Sequence, residues 1–140
     1  MPSKQTVRKA KQELREGKSP KTAAGEFVHE EIEHVRQGKH GARSPRQAIA
    51  IGLSEARRSG IPVPPPKKSA SAATKKKAQR DYEKGQSSRP SAKNKSGKRS
   101  KARLEALQRE PKNTASHAAL SRQAKAAAKR RRGTSRRKAA

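Results

Sequence analysis

Residues 60–68 read GIPVPPPKK, and this stretch divides the chain into two parts that obey different rules. Its four prolines lack a backbone N–H and hold φ near −65°, so neither a helix interior nor a sheet interior can run through it. The expected form is a stiff, extended joint of the polyproline kind. Before the break, residues 1–60 carry 13 basic and 7 acidic side chains; after it, residues 61–140 carry 25 and 4. The first part can fold. The second repels itself unless a polyanion neutralises it. The expected fold is mostly α with extensive disorder: a small helical module over 1–60, a Pro-rich joint over 61–66 and a disordered Lys/Arg/Ala/Ser-rich tail over 67–140.

Three short helices are expected in the module, at about 4–16, 20–37 and 45–59, arranged as a helical hairpin or small bundle. Val7, Ala10 and Leu14 recur at helical spacing, with Gly17 as a stop. Ser19 followed by Pro20 has the form of an N-cap before a first-turn proline. Ala24, Val28, Ile32 and Val35 share one face of the second helix, with Phe27 at its edge and Gly38 closing it. SPRQ at 44–47 combines a capping serine, a first-turn proline and a glutamine in the capping-box position. Ala48, Ile49, Gly52, Leu53 and Ala56 then form a stripe, and Gly60 is expected to end the helix in the left-handed region with Ile61 folding back. The expected core is therefore Phe27, Val28, Ile32, Val35, Ile49, Leu53 and Ala56. Only eleven large apolar residues precede the tail, too few to stabilise a core comfortably, so residues 20–60 are expected to lean on a second copy or on a protein partner.

HEEIEHVRQGKHG, residues 29–41, holds three histidines and three glutamates and invites a metal reading. A zincin helix needs H-E-x-x-H, which places its histidines four apart on one face. His29 and His34 are five apart, and neither cysteine nor aspartate lies nearby to complete a tetrahedral set. The expectation is a solvated helix face, with no metal and no cofactor. Glu31 is the odd residue, because it projects near the middle of the apolar stripe. Either a lysine or arginine from another helix pairs with it, or the stripe is simply narrow.

Other catalytic arrangements are missing from the sequence. GKS at 17–19 lacks the upstream glycine of a phosphate loop, Asp81 is the single aspartate, and the chain has no cysteine. Hydrophobic residues make up 28% and aromatics 1%, which leaves little with which to build the desolvated pocket that acid–base chemistry requires. The protein is expected not to be an enzyme. No apolar run approaches the roughly 18 residues of a membrane span, and the N-terminus lacks the apolar core of a secretory leader. A cytoplasmic, nucleoid-associated location is the corresponding expectation.

FVHEEIEHVRQGK followed by SPRQAIAIGLSEARRSG resembles a family of small basic bacterial proteins of unknown function. Its members carry a similar V-x-H-E stretch, a G-K-rich turn and an R-Q-A-I-A-I-x-L-S-E-A helix. The likeness spans residues 25–60, about a quarter of the chain. It implies a bacterial cytoplasmic or nucleoid protein and no catalytic residue. The tail separately resembles those of linker histones and bacterial histone-like proteins, in composition alone.

Within that tail two segments have helical character. Residues 101–110 place Leu104 and Leu107 one turn apart, set Glu105 four residues before Arg109, and end at Pro111. Residues 114–132 are rich in alanine, the best helix former. There Arg122, Lys125, Lys129 and Arg132 fall on one stripe, with Leu120, Ala124 and Ala127 opposite. Either segment can become helical; the second reads as a helix that lies along phosphates once its charge is neutralised, or as a solvated basic face that happens to have helical spacing, whereas residues 67–99 are expected to stay disordered. The expected nucleic-acid-binding residues are Lys75, Lys76, Lys77, Lys98, Arg99, Arg122, Lys125, Lys129, Arg130, Arg131, Arg132, Arg136 and Arg137. SPK at 19–21 and SPR at 44–46 resemble minor-groove motifs of histone tails, but they read more simply as helix starts. KRRRGTSRRK at 129–138 has the form of a nuclear-import signal and reads more simply as phosphate-binding tail.

Single-strand readers stack bases on aromatic side chains, and this chain has only Phe27 and Tyr82. Sequence-specific readout requires a rigid element presented to base edges. A turn of about seven residues between the second and third helices is too long for the usual helix-turn-helix. The expected function is non-specific binding and compaction of duplex DNA by a histone-like architectural protein. Two other functions fit the same residues: an RNA-binding or ribosome-associated basic protein, and an interaction adaptor that uses the 20–60 hairpin.

Overall fold

Serine and glycine set the ends of the helices. In the computed structural model, which describes residues 2–66, 70–87 and 97–138 apart from the side chains of Arg99 and of 134–138, the order is α1 (Lys4–Arg15), α2 (Pro20–Arg36), α3 (Pro45–Arg58), α4 (Ala72–Gln86), α5 (Gly97–Gln108), a 3-10 turn (Asn113–Ala115) and α6 (His117–Lys138). Among the described residues there is no strand. Ser3, Ser19, Ser44 and Ser71 stand immediately before α1 to α4. Each accepts, at 3.1–3.3 Å, the backbone N–H three residues on, from Thr6, Thr22, Gln47 and Thr74. This satisfies one of the orphan donors of each first turn. Gln47 departs from the expected capping box: its Oε1 accepts from the Arg43 N–H at 2.6 Å, one residue upstream of the cap.

The first three helices end alike. Gly17, Gly38 and Gly60 have φ of 81°, 72° and 91°, a region that L side chains rarely adopt. The residue after each glycine donates back across the turn: Lys18 to the Glu13 carbonyl, Lys39 to His34 and Ile61 to Ala56, at 3.0–3.1 Å. This is the Schellman closure, and at Gly60 it returns Ile61 into the core, as the sequence leads one to expect.

α2 and α3 form the central antiparallel pair, α1 packs on α2, and α4 packs on α3. Ala48, Gly52 and Ala56 make a row of small buried residues one turn apart on α3. A Cβ at Gly52 would stand 2.7 Å from the Val28 Cα, so the glycine lets the two backbones meet. One buried cluster joins Ala10, Ala23, Ala24, Phe27, Ala56, Ile61 and Val63, with Val7, Leu14 and Leu53 against it. A second joins Val35, Ala42, Ala48 and Ala115, with Ile32 against it.

The expected core needs correcting on three points. Phe27, Val35 and Ala56 are buried as expected, but Val28, Ile32, Ile49 and Leu53 are only half-buried. The buried stripe of α2 runs through Ala24, Phe27, Glu31 and Val35, so Phe27 lies at its centre and not at its edge. Most of the buried apolar positions among the described residues are alanines, because helices at this separation have little room for more.

The tail also differs from the disorder expected over 67–99. Residues 67–69 and 88–96 lie outside the described residues, but 72–86 form α4. Its Ala78 and Asp81 are buried; the Ser54 hydroxyl donates to Asp81 Oδ2 at 2.6 Å, and Arg58 Nε lies 3.8 Å from Oδ1. A side chain at Gly85 would strike the Arg57 carbonyl, so a bare backbone is what allows α4 to close on the end of α3. Of the segments read as possible helices at 101–110 and 114–132, residues 101–108 belong to α5, 114–115 to the 3-10 turn and 117–132 to α6, while 109–110 lie beyond the helix end. Arg109 does not pair with Glu105; Glu110 instead lies 3.5 Å from Arg43. Residues 107–115 are tied to the α2–α3 turn: Gly41 N–H donates to Leu107 O (2.8 Å), Ala42 N–H to Pro111 O (2.9 Å), Thr114 Oγ1 to Ala42 O (2.8 Å) and Arg36 Nε to Ala115 O (2.9 Å).

The proline joint is held from α3. Arg57 is buried, and it donates from Nε to Val63 O at 3.1 Å and from Nη2 to Pro64 O at 3.4 Å. Burial lowers its pKa from the usual arginine value, and Asp81 opposes that shift. Two proline-region carbonyls, which no neighbouring proline nitrogen could satisfy, therefore gain a donor.

Candidate functional site

The cationic residues expected to bind nucleic acid are spread over three helices. Lys75 is half-buried and Lys76 and Lys77 are exposed on α4; Lys98 is exposed on α5. Arg122, Lys125, Lys129, Arg130, Arg131 and Arg132 are all exposed on α6. The side chains of Arg99, Arg136 and Arg137 lie outside the described residues. α6 gathers the largest set. Arg122, Lys125, Lys129 and Arg132 follow at spacings of 3, 4 and 3, which places them within one arc of the helix. Half-buried Ala119, Leu120, Gln123 and Ala127 lie away from that arc and half-buried Ala128 beside it; the helix packs on α3 and the 3-10 turn, and Arg122 borders a groove there with Pro45 and Thr114. Ala124, expected on the packed side, is exposed. Among the described residues no carboxylate pairs with Arg122, Lys125, Lys129 or Arg132.

A further cationic row escaped the reading of the sequence. Lys4, Arg8, Lys11 and Arg15 line a shallow surface groove along α1 with Pro2 and Val7. Their spacing of 4, 3 and 4 is the signal that reveals them. It is the same periodicity that marks α6.

The histidines have a different arrangement. His29 is exposed, whereas Glu31 is only 3% exposed and faces His40 and His34. Glu31 Oε2 lies 3.5 Å from His40 Nε2 and 4.0 Å from His34 Nδ1, and its Oε1 is buried without a hydrogen-bond partner. These two imidazoles, and not a lysine or arginine, stand beside Glu31. Their rings meet edge to face, with centroids 6.1 Å apart. His34 Nε2 is 3.7 Å from Glu30 Oε1, and Glu30 also accepts the Ser3 N–H at 3.0 Å. His40 Nδ1 lies 3.1 Å from the Gly41 carbonyl oxygen. Burial pushes the Glu31 carboxyl above its usual range, and the His40 charge pulls the other way. Burial also lowers the His34 imidazole, reinforced by Lys39. His40 was overlooked because it lies outside the helix. The reversal at Gly38 carries it back over the last turn of α2.

With this geometry in place, residues 3–69 match a family of unknown function, DUF6496. The match spans α1, α2, α3 and the proline joint, wider than residues 25–60, and stops before α4. No curated protein and no solved structure matches the chain. Among the described residues, no helix is long and apolar enough to cross a membrane.

Proposed function

We propose that this is a non-enzymatic, largely sequence-independent DNA-binding protein of the histone-like architectural kind, acting at the nucleoid by neutralising phosphates. The observation that carries this reading is the α6 stripe of Arg122, Lys125, Lys129 and Arg132, exposed and, among the described residues, free of carboxylate partners, on a helix that packs on α3 and the 3-10 turn. A packed helix with an exposed cationic stripe can lie along a phosphate backbone without losing its attachment. The cations of α4 and the row on α1 extend the same chemistry, and the net charge of +27 supplies the long-range attraction.

Duplex is favoured over single strand. The chain's two aromatic residues are poor stacking platforms, since Phe27 is fully buried and Tyr82 half-buried. Affinity then comes from counterion release and falls steeply with salt. Replacing Arg122, Lys125, Lys129 and Arg132 with glutamine is expected to lower the slope of log K against log salt by up to about 3.6, at ~0.9 per lost phosphate contact. The loss should be the same on random and natural duplexes. Gel shifts across a salt series, with structured RNA as competitor, test this. An unchanged slope, or RNA displacing duplex at a small fraction of the duplex concentration, would sink it.

A further inference from the structure

We propose that Glu31, His34 and His40 form a binding site for a divalent transition metal of the zinc class. The oxygen or nitrogen that each can offer lies within 4.8 Å of the other two. A tetrahedral shell with bonds of about 2.0–2.1 Å places its ligands roughly 3.4 Å apart, so modest side-chain rotations close the set. Two imidazoles and a carboxylate are the donor types such an ion takes when one position is left for water.

The hydrogen bonds around the cluster aim lone pairs at one point. The Gly41 carbonyl can only accept, so His40 Nδ1, 3.1 Å away, is the donor there. In a neutral imidazole this leaves the Nε2 lone pair facing Glu31 Oε2 at 3.5 Å. A proton or a metal ion has to occupy the space between them. Likewise, a His34 whose Nε2–H points to Glu30 Oε1 turns its Nδ1 lone pair toward Glu31. Such outer contacts from imidazole N–H to a carbonyl and a carboxylate are the usual support of metal-bound histidines. Glu31 adds an independent sign, since it is almost fully buried, its Oε2 is turned to the two rings and its Oε1 has no hydrogen-bond partner. A carboxylate placed so is costly without a cation.

The bound ion would fix the turn after α2. That turn carries the Gly41 and Ala42 amides, which hold Leu107 and Pro111. The site would thus join the end of α2 to the place where the tail returns. It needs no nucleic acid, so its failure would leave the DNA reading untouched.

The test uses the full-length protein, free of nucleic acid. Zn2+ is titrated by calorimetry, and Co2+ is followed by its visible absorption, which is strong only in tetrahedral fields. The expected result is uptake of about one equivalent at micromolar or tighter affinity, with added amide-exchange protection at residues 38–42. Affinity should fall at least about tenfold in Glu31→Gln, His34→Gln and His40→Gln, and stay unchanged in His29→Gln and His117→Gln, whose histidines are exposed. His40→Gln lies outside any helix, so it keeps the test decisive if Glu31→Gln does not fold. Uptake that is absent, or equally weakened by His29→Gln, overturns the site and leaves an imidazolium–carboxylate contact in its place.

Discussion

α3 and α6 share a high content of alanine and arginine, and they end up in opposite situations. Both start at a serine, Ser44 and Ser116, that accepts the backbone N–H three residues on. α3 sets Ala48, Gly52 and Ala56 in a row against α2, and its backbone touches that of Phe27 and Val28. α6 has no fully buried residue among those described, and its exposed side is lined with cations. The difference teaches that alanine makes a helix anywhere, but it makes a packed helix only where a partner offers an equally small surface. In this chain the core is set by close approach and not by large apolar side chains.

The contrast can be broken most severely at Phe27, the largest fully buried side chain. Phe27→Ala is expected to cost about 3–5 kcal/mol, enough to melt α1 to α3, with loss of the helical circular dichroism signal at ambient temperature. Next comes the contact that binds the tail to the module. Gly85→Ala drives a methyl against the Arg57 carbonyl and should cost about 1–3 kcal/mol. Amide exchange over 72–86 is expected to quicken much more than over 20–58; equal quickening in both would mean that α4 and the module unfold as one unit. Ser44→Ala removes the cap of α3 and should destabilise by about 1 kcal/mol, read as a lowered thermal midpoint. Leu104→Ala on α5 sharpens the comparison from the other side. Leu104 is 48% exposed, and its truncation should change stability by less than about 0.5 kcal/mol. A larger loss would reveal packing on α5 that the fold does not account for.

The helix ends were the most legible part of the structure, because capping is local chemistry. Ser19, Ser44, Gly38 and Gly60 announce their roles to within a residue. The core was only half legible. Periodicity identifies a face, but the partner decides which edge of that face is covered, and so Val28 and Ile32 yielded the centre to Phe27 and Glu31. α4 was not legible because its run of lysines masks the cap of Ser71 on Thr74, which follows the pattern of α1 and α2, and because Asp81 finds its partners, Ser54 and Arg58, 23 or more residues away. The cationic spacing on α6 was legible, but its packed side was less so, since Ala124 is exposed. The carboxylate–histidine cluster was not, since spacing along one helix cannot reveal a ligand that arrives from beyond a left-handed turn.

The alanine core has a thermal consequence. Among the described residues, eight of the twelve buried apolar side chains are alanines, and each exposes little hydrocarbon when the chain unfolds. The heat capacity of unfolding scales with that newly wetted hydrocarbon and is about 12–15 cal/mol/K per residue in ordinary domains. Here it should fall below that range, giving a stability curve that is low and wide. Such a protein gains little on moderate cooling, resists cold denaturation and loses its structure over a broad span of temperature, without a sharp melt.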